Sequence, residues 1–326
     1  MTTLTNTVTN ASEADSAEHS KISWKKDAER VAYGIRRRVL QLTIERNGCY
    51  LSQALSSAEI LAALYTHILK LGPSAGPMMP EPYQGVPGRG IAHGTGGAYN
   101  GLPRPDTDRF LISPAHYAVA IYAALVETGR MSPEGLDQFN VDGYSVEMIG
   151  AEHSPGFELT TGSFGQAISQ AGGIAMGRRV KGDTGKTFVF MSDGELEEGQ
   201  TWEAVQALAF HKMENVIVYV DVNGQQVDGL TKDVMNIEPI DQRLLGFGAT
   251  VSVVDGHDLD ALASAMNDRV PKKPHFVLCY TDTAKGIPML DKRKPKLHFV
   301  RFKDDAEIAK YQTFLEQEYS VQMEAA

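Results

Sequence analysis

Two short runs of apolar, β-forming residues, Thr187 to Met191 and Val216 to Val220, constrain this chain more than any other feature. Between them Trp202, Val205, Leu208 and Ala209 recur at helical spacing. The order is therefore strand, loop, helix, strand. Asp193-Gly194 follows the first run and Asn223-Gly224 follows the second. In an open α/β sheet ligands sit outside the carboxyl ends of the strands, so both pairs face one edge. One carboxylate and one amide oxygen there suit a hard cation, with diphosphate oxygens filling further positions. Asp-Gly and Asn-Gly also form ordinary turns, so spacing alone leaves two plain turns as the alternative.

The rest of the chain extends the same pattern. A helix is predicted from about Lys25 to Arg46, broken at Asn47-Gly48. A second runs from Ser57 to Lys70, opened by Ser56-Ser57-Ala58-Glu59, which puts an acid in its first turn. Residues 72–108 are crowded with Gly and Pro. A structureless loop of that length is uncommon inside a compact domain. It reads either as a tolerated surface insertion or as a lid or partner-binding loop. Beyond it come a short strand at 109–113, a helix at 115–129, a loop-rich stretch at 139–164 and a small-residue helix at 165–178. Strands at 249–254 and 275–280 flank a helix at about 258–268, and a charged helix is expected over 304–320. Strands alternating with helices imply an α/β fold, a parallel β-sheet flanked by helices on both faces. The organisation expected is a disordered tail at 1–22 and one domain at 23–326 carrying the 72–108 insertion.

A net charge of −10 argues against general nucleic-acid binding, which needs a basic face. No apolar run approaches the length of a membrane span. Residues 1–20 lack the apolar region of a signal peptide and the arginines of a transit peptide. Cys49 and Cys279 are the only cysteines, too few for a zinc cluster, so a reducing cytoplasm is the default expectation. Gly182 to Thr187, "GDTGKT", fails as a phosphate loop: Val180 stands where the first Gly is needed, and the segment precedes a strand. The basic run at 292–296 reads as a solvated loop or as a surface for an acidic partner or anionic substrate. His116 ends a predicted strand, within a ligand's reach. For it, as for His153, His257 and His298, spacing alone favours a structural role over a catalytic one.

With these residues located, the stretch from about 25 to 300 resembles the amino-terminal, diphosphate-binding half of transketolases. "SDGELEEG" and "DVNGQQVDG" are similar to that family's Gly-Asp-Gly and, about 30 residues on, Asn; Ser192 replaces the first Gly. "DRFLISPAH" (108–116) looks like the family's strand and cofactor-contacting His. "SPGFELTTGSFGQ" (154–166) is similar to its Thr-Gly-x-x-Gly-Gln loop, whose backbone meets the aminopyrimidine. "VDGHD" (254–258) and the segment 285–298 match later signatures, with His298 in the place of a substrate-facing His.

The resemblance implies thiamine diphosphate as cofactor, held through Mg²⁺ or Ca²⁺ by Asp193, Asn223 and the backbone carbonyl of Gln225. Gly194 would let the diphosphate approach, and Gly162, Ser163 and Phe164 would line the cofactor. Glu198 matches a Glu of the subunit contact that couples cofactor sites. His116 and His298 would serve cofactor and chemistry. The implied reaction moves a two-carbon ketol unit from a ketose donor to an aldehyde acceptor. Two alternatives are a decarboxylase and acyl-transfer component for 2-oxo acids and a non-catalytic regulatory paralogue. The family's next domain binds the aminopyrimidine and supplies an activating Glu. The implied partner is therefore a C-terminal transketolase-like subunit, in an α2β2 assembly. Many members carry Ser-Gly-His near the end of the first helix, where this chain has Asn47-Gly48-Cys49-Tyr50. His153 is a stand-in for that imidazole, and a substrate other than the usual pentose phosphates is expected.

Overall fold

The computed structural model describes residues 9–86, 88–90 and 94–319, with backbone alone for 9–22. Helix α1 spans Thr9–Arg46 and stops where Asn47 turns left-handed, at φ 46°. It thus begins inside the stretch expected as a disordered tail; residues 1–8 lie outside the described ones. The added turns carry Ala11, Ala14, Ala17, Glu13 and Glu18, residue types that lose little conformational freedom in a helix.

Helix α2 spans Leu51–Ala63 and runs on through a π turn at Leu64–Ile68. It starts earlier than its expected cap. Ser56 and Ser57 are fully buried inside it, and the Ser57 hydroxyl donates to the Gln53 carbonyl at 2.6 Å. They resemble a cap in sequence but serve as small polar residues in a core helix.

The strands β1 (Arg109–Ile112), β2 (Thr187–Ser192), β3 (Val216–Val222), β4 (Thr250–Asp255) and β5 (His275–Tyr280) form one sheet in the order β1-β2-β3-β5-β4. Every pairing is parallel. Helices α3 (Ala118–Glu127), α4 (Gln166–Lys181), α5 (Gly199–Phe210), α6 (Ile240–Gly246), α7 (Leu259–Ser264) and α8 (Asp305–Tyr319) complete the fold. Alternate residues of one strand enter opposite cores, as the two-residue period requires. Phe188, Phe190, Ile217 and Tyr219 join α1, α2 and α3, whereas Val189, Met191, Val218 and Val220 join α4, α5 and α6. All residues of β2 and β3 are buried, which explains why they read as unbroken apolar runs. The register pairs Ser192 with Asp221, so β2 and β3 end level with one another. Asp193 and Asn223 therefore emerge at one edge.

The 72–108 segment is no loose insertion over its second half. Tyr99 and Asn100 are buried, and the Asn100 amide donates to the Gly156 carbonyl at 3.1 Å. Arg130 ties its start and its middle together, donating to the carbonyls of Gly72 and Tyr99 at 3.1 and 2.9 Å. Gly182 ends α4, and 183–186 lead into β2, so "GDTGKT" has no helix N-terminus to offer a phosphate. In the basic run, Lys294 is neutralised by Asp282 and Asp291 at 2.7 and 2.8 Å. No described helix is long and apolar enough to cross a membrane.

A buried ionic cluster joins α1, α2 and the loop after β4. Arg36 grips the Glu59 carboxylate with both terminal nitrogens. The His257 Nδ1–H donates to Glu59 at 2.9 Å, while Nε2 accepts from the Asp282 amide at 2.9 Å. This accounts for the "VDGHD" histidine as a structural clamp. Burial alone would raise the Glu59 pKa; the hydrogen bonds from His257 and Arg36 outweigh it and bring it down to about 2. A carboxylate depressed in the folded state stabilises fully above its unfolded value, and that contribution is lost as pH falls through the folded one. Glu59→Ala is expected to cost about 3–5 kcal/mol, because it strands the buried Arg36 charge. It should also flatten the loss of stability between about pH 4.5 and 2. Urea denaturation across that range checks both; an unchanged midpoint would remove the cluster from the stabilising interactions.

Candidate active site

The sheet's carboxyl edge opens into a cleft of about 400 Å³, lined among others by Tyr50, His116, Gly162, Phe164, Gly194, Glu198, Asn223 and His298. Each element delivers its residue for a local reason. Chain beyond β1 turns through Ser113-Pro114 into a short 3-10 turn, Ala115–Tyr117, which aims the His116 ring into the cleft. His298 arrives from the far end of the sequence. There Cys49 and Val300 form an isolated antiparallel bridge, exchanging backbone bonds of 3.1 and 3.0 Å. Ser52 donates to the Leu297 carbonyl at 2.7 Å, and the Gln53 amide donates to the His298 carbonyl at 2.9 Å. Gly48 allows the bridge: its φ is 156°, and a Cβ there would sit 2.8 Å from the Phe299 ring.

The two imidazoles lie with centroids 5.1 Å apart. Burial, with the neighbouring His298 adding, pushes the His116 pKa down to about 3. Burial lowers that of His298 as well. Both rings are therefore uncharged at neutral pH, each with one N–H and one lone pair.

At the other end lies an oxygen-rich corner. Asp193 is 1% exposed. Its carboxylate accepts from the Gly194 and Gly224 amides at 3.0 and 2.8 Å and from Thr231 at 3.4 Å. Burial, with Asp221 adding, raises its pKa to about 8. A cation nearby reverses that preference. The Asn223 amide nitrogen donates inward to the Tyr117 hydroxyl and Asp221 at 3.0 and 3.1 Å. That leaves its oxygen, which takes one bond from the Gln225 amide at 3.0 Å, a second lone pair. Asp221 is the buried anchor, accepting from Ser56, Tyr117, Thr281 and Asn223.

These residues fit a divalent cation carrying a diphosphate. The donors are a carboxylate, an amide oxygen and a backbone carbonyl, the all-oxygen set of Mg²⁺ or Ca²⁺. The buried Gln225 Nε2 has no hydrogen-bond partner, so a polar atom beside this corner awaits one. A Cβ on Gly194 would approach nothing closer than 3.9 Å. Neither packing nor a positive φ demands glycine there, which leaves room for a ligand to approach. Among the described residues no group of three or more His, Cys, Asp or Glu is disposed to hold a metal, so a cation here would need oxygens from outside the chain to complete its shell.

Other expected residues fall less centrally. Gly162 takes φ 104°, and its Cβ would crowd Ala115 at 3.0 Å. Ser163 is exposed and accepts from the Gln166 amide at 3.0 Å. Glu198 is exposed on the cleft rim. His153 does not join the cluster: it meets Glu147 at 3.0 Å, and its ring packs on Tyr83 with centroids 4.4 Å apart. Two local partners outside the cleft hold it, so it replaces no imidazole. Gln53, Tyr117 and Asp221 went unread in the sequence, and Tyr50 was noted only as a departure from the family. Only Asp221 gave a signal, as a lone acid ending a buried strand two residues before Asn223.

The family model "Transketolase, thiamine diphosphate binding domain" matches residues 103–323. One chain of the apulose-4-phosphate transketolase of Actinobacillus succinogenes is 29% identical over 286 residues, covering 87% of this chain and 94% of that one. A 6-deoxy-6-sulfo-D-fructose transketolase subunit of a Clostridium species is 30% identical over 255 residues, covering 76% and 83%. The transketolase of Campylobacter jejuni superposes with a TM-score of 0.72 at 23% identity, a likeness of fold. The match covers 89% of this chain and 43% of that one, so the chain spans less than half of that solved transketolase. A putative transketolase family protein of Sinorhizobium fredii is 35% identical over 272 residues, 82% of this chain and 88% of its own length. With the domain match taking in His116, Asp193, Asn223 and His298, this places the chain in the transketolase family, as a bearer of its thiamine diphosphate-binding domain.

Proposed function

We propose that this chain is the diphosphate-binding subunit of a two-chain transketolase, moving a two-carbon ketol unit from a ketose to an aldehyde. One observation carries the reading: a single cleft runs from Ser192, Gly194, Asn223 and Gln225, with the buried Asp193 carboxylate just behind them, to the uncharged pair His116 and His298. Asp193, the Asn223 oxygen and the Gln225 carbonyl would hold Mg²⁺ or Ca²⁺, and through it the diphosphate. Phe164, whose ring lies 5.9 Å from that of His116, and Gly162 wall the region between. Thiamine diphosphate, when bound, supplies the electron sink for breaking and forming the carbon–carbon bond. His116 and His298 donate or accept protons at the substrate oxygens beside them. The partner is a C-terminal transketolase-like subunit supplying the pyrimidine-binding domain, in an α2β2 assembly in the cytoplasm. The naming of the relatives above as subunits supports such a partner.

His116→Ala and His298→Ala are each expected to lower kcat by about a hundredfold or more in the two-chain enzyme. Full kcat in either variant removes that imidazole from the chemistry. Assays with a ketose donor against pyruvate separate the leading reading from a 2-oxo acid decarboxylase. Turnover of pyruvate alone would replace it.

A further inference from the structure

Tyr50 lines the cleft beside His116 and His298. The order along the wall runs through ring contacts. The position a Gly194 Cβ would take lies 3.9 Å from Phe164, the Phe164 ring 5.9 Å from His116, and the His116 ring 5.2 Å from Tyr50. Tyr50 also packs edge-on to His298 at 5.4 Å and Phe299 at 5.1 Å. Three rings and the Cys49–Val300 bridge fix its position. It is half-buried and lines the cleft, and its hydroxyl has no hydrogen-bond partner among the described residues. Burial raises its pKa, so the phenol keeps its proton at neutral pH.

The charge of this end matters too. Among the described residues lining the cleft there is no lysine or arginine, and the nearby Lys294 is held by two aspartates. This wall thus offers neutral hydrogen-bonding groups to whatever lies beyond the imidazoles. It suits a hydroxylated carbon chain; the Arg301 guanidinium, near this end, lies over the Phe299 ring at 5.6 Å and does not line the cleft.

Resting on the transketolase reading, we propose that Tyr50 is a specificity-determining residue, its phenol hydrogen-bonding a hydroxyl of the sugar or aldehyde bound beyond His116 and His298. A site built around such a bond discriminates against an analogue lacking the hydroxyl, since the phenol is then left unpaired. Tyr50→Phe removes one oxygen and keeps the ring packing.

The test uses the two-chain enzyme with hydroxypyruvate as donor, which loses carbon dioxide as its ketol unit joins the aldehyde carbon. The acceptors are glycolaldehyde and acetaldehyde, which differ by one hydroxyl. Wild-type enzyme is expected to favour glycolaldehyde. Tyr50→Phe should lower kcat/KM for glycolaldehyde by about tenfold and leave that for acetaldehyde unchanged. Equal losses with both aldehydes, or no loss with either, overturn the role of Tyr50 while leaving the reading intact. Wild-type enzyme that transfers the unit to neither aldehyde sinks the reading itself. The thermal midpoint should not move.

Discussion

Asp193→Ala is expected to weaken thiamine diphosphate binding by more than about a hundredfold at saturating Mg²⁺, since changes merely behind a ligand already cost 10–100-fold. The variant removes the one carboxylate of the proposed shell, where a dication must offset a diphosphate. The fold should survive. Asp193 without a cation is a buried acid whose pKa stands at about 8, so at neutral pH its loss removes no favourable charge. The Gly194 and Gly224 amides lose an acceptor, at a cost of about 1–3 kcal/mol. A ligand that binds only the native state raises the thermal midpoint, and that rise should vanish in the variant. Asn223→Ala should act in the same direction more weakly, since it removes a neutral ligand and one donor each from the Tyr117 hydroxyl and Asp221, while Tyr117 keeps its own bond to Asp221 at 2.8 Å. Calorimetric titration of the assembled enzyme decides the matter. Wild-type affinity in Asp193→Ala would reject the assignment.

What sequence revealed here depended on how local the cause was. β2 and β3 were legible because a strand covered on both faces must be apolar throughout. Asp193 and Asn223 were legible because a parallel register brings consecutive strand ends level. Ser56 and Ser57 misled because a cap and a buried polar helix residue look alike without knowing what packs around them. Tyr50 was noted only as a departure from the family. Its place beside His116 and His298 depends on Cys49 pairing with Val300, a contact across some 250 residues that no local pattern encodes. His153 was misplaced for the same reason, its partners Glu147 and Tyr83 being set by how two loops meet.

The chain alone is expected to show no ketol transfer. Activation of the cofactor, by the resemblance, needs a carboxylate at the aminopyrimidine. The described acids lining the cleft are Glu197 and Glu198, three and four residues beyond Gly194. Glu197 accepts from the Gln226 amide at 3.1 Å, which holds it at the oxygen corner. Among the described residues lining the cleft there is no other carboxylate. The rim also exposes apolar side chains, Ile149 at 47% and Val227 at 66%, flanking the mouth of the cleft. Apolar groups at the edge of a polar site mark a surface that another protein covers, and closing it would also exclude water from the reacting atoms. On the two-chain reading, a second polypeptide would have two tasks, to supply the carboxylate and to seal the cleft. The family's paired sites make two copies of each chain the expected assembly. The measurement is ketol transfer and solution mass for the chain purified alone, then with a C-terminal transketolase-like subunit from the same organism. Activity should appear only in the mixture, together with a mass of four chains. Full turnover by the lone chain would overturn the two-chain reading, because the activating carboxylate would then have to come from this polypeptide.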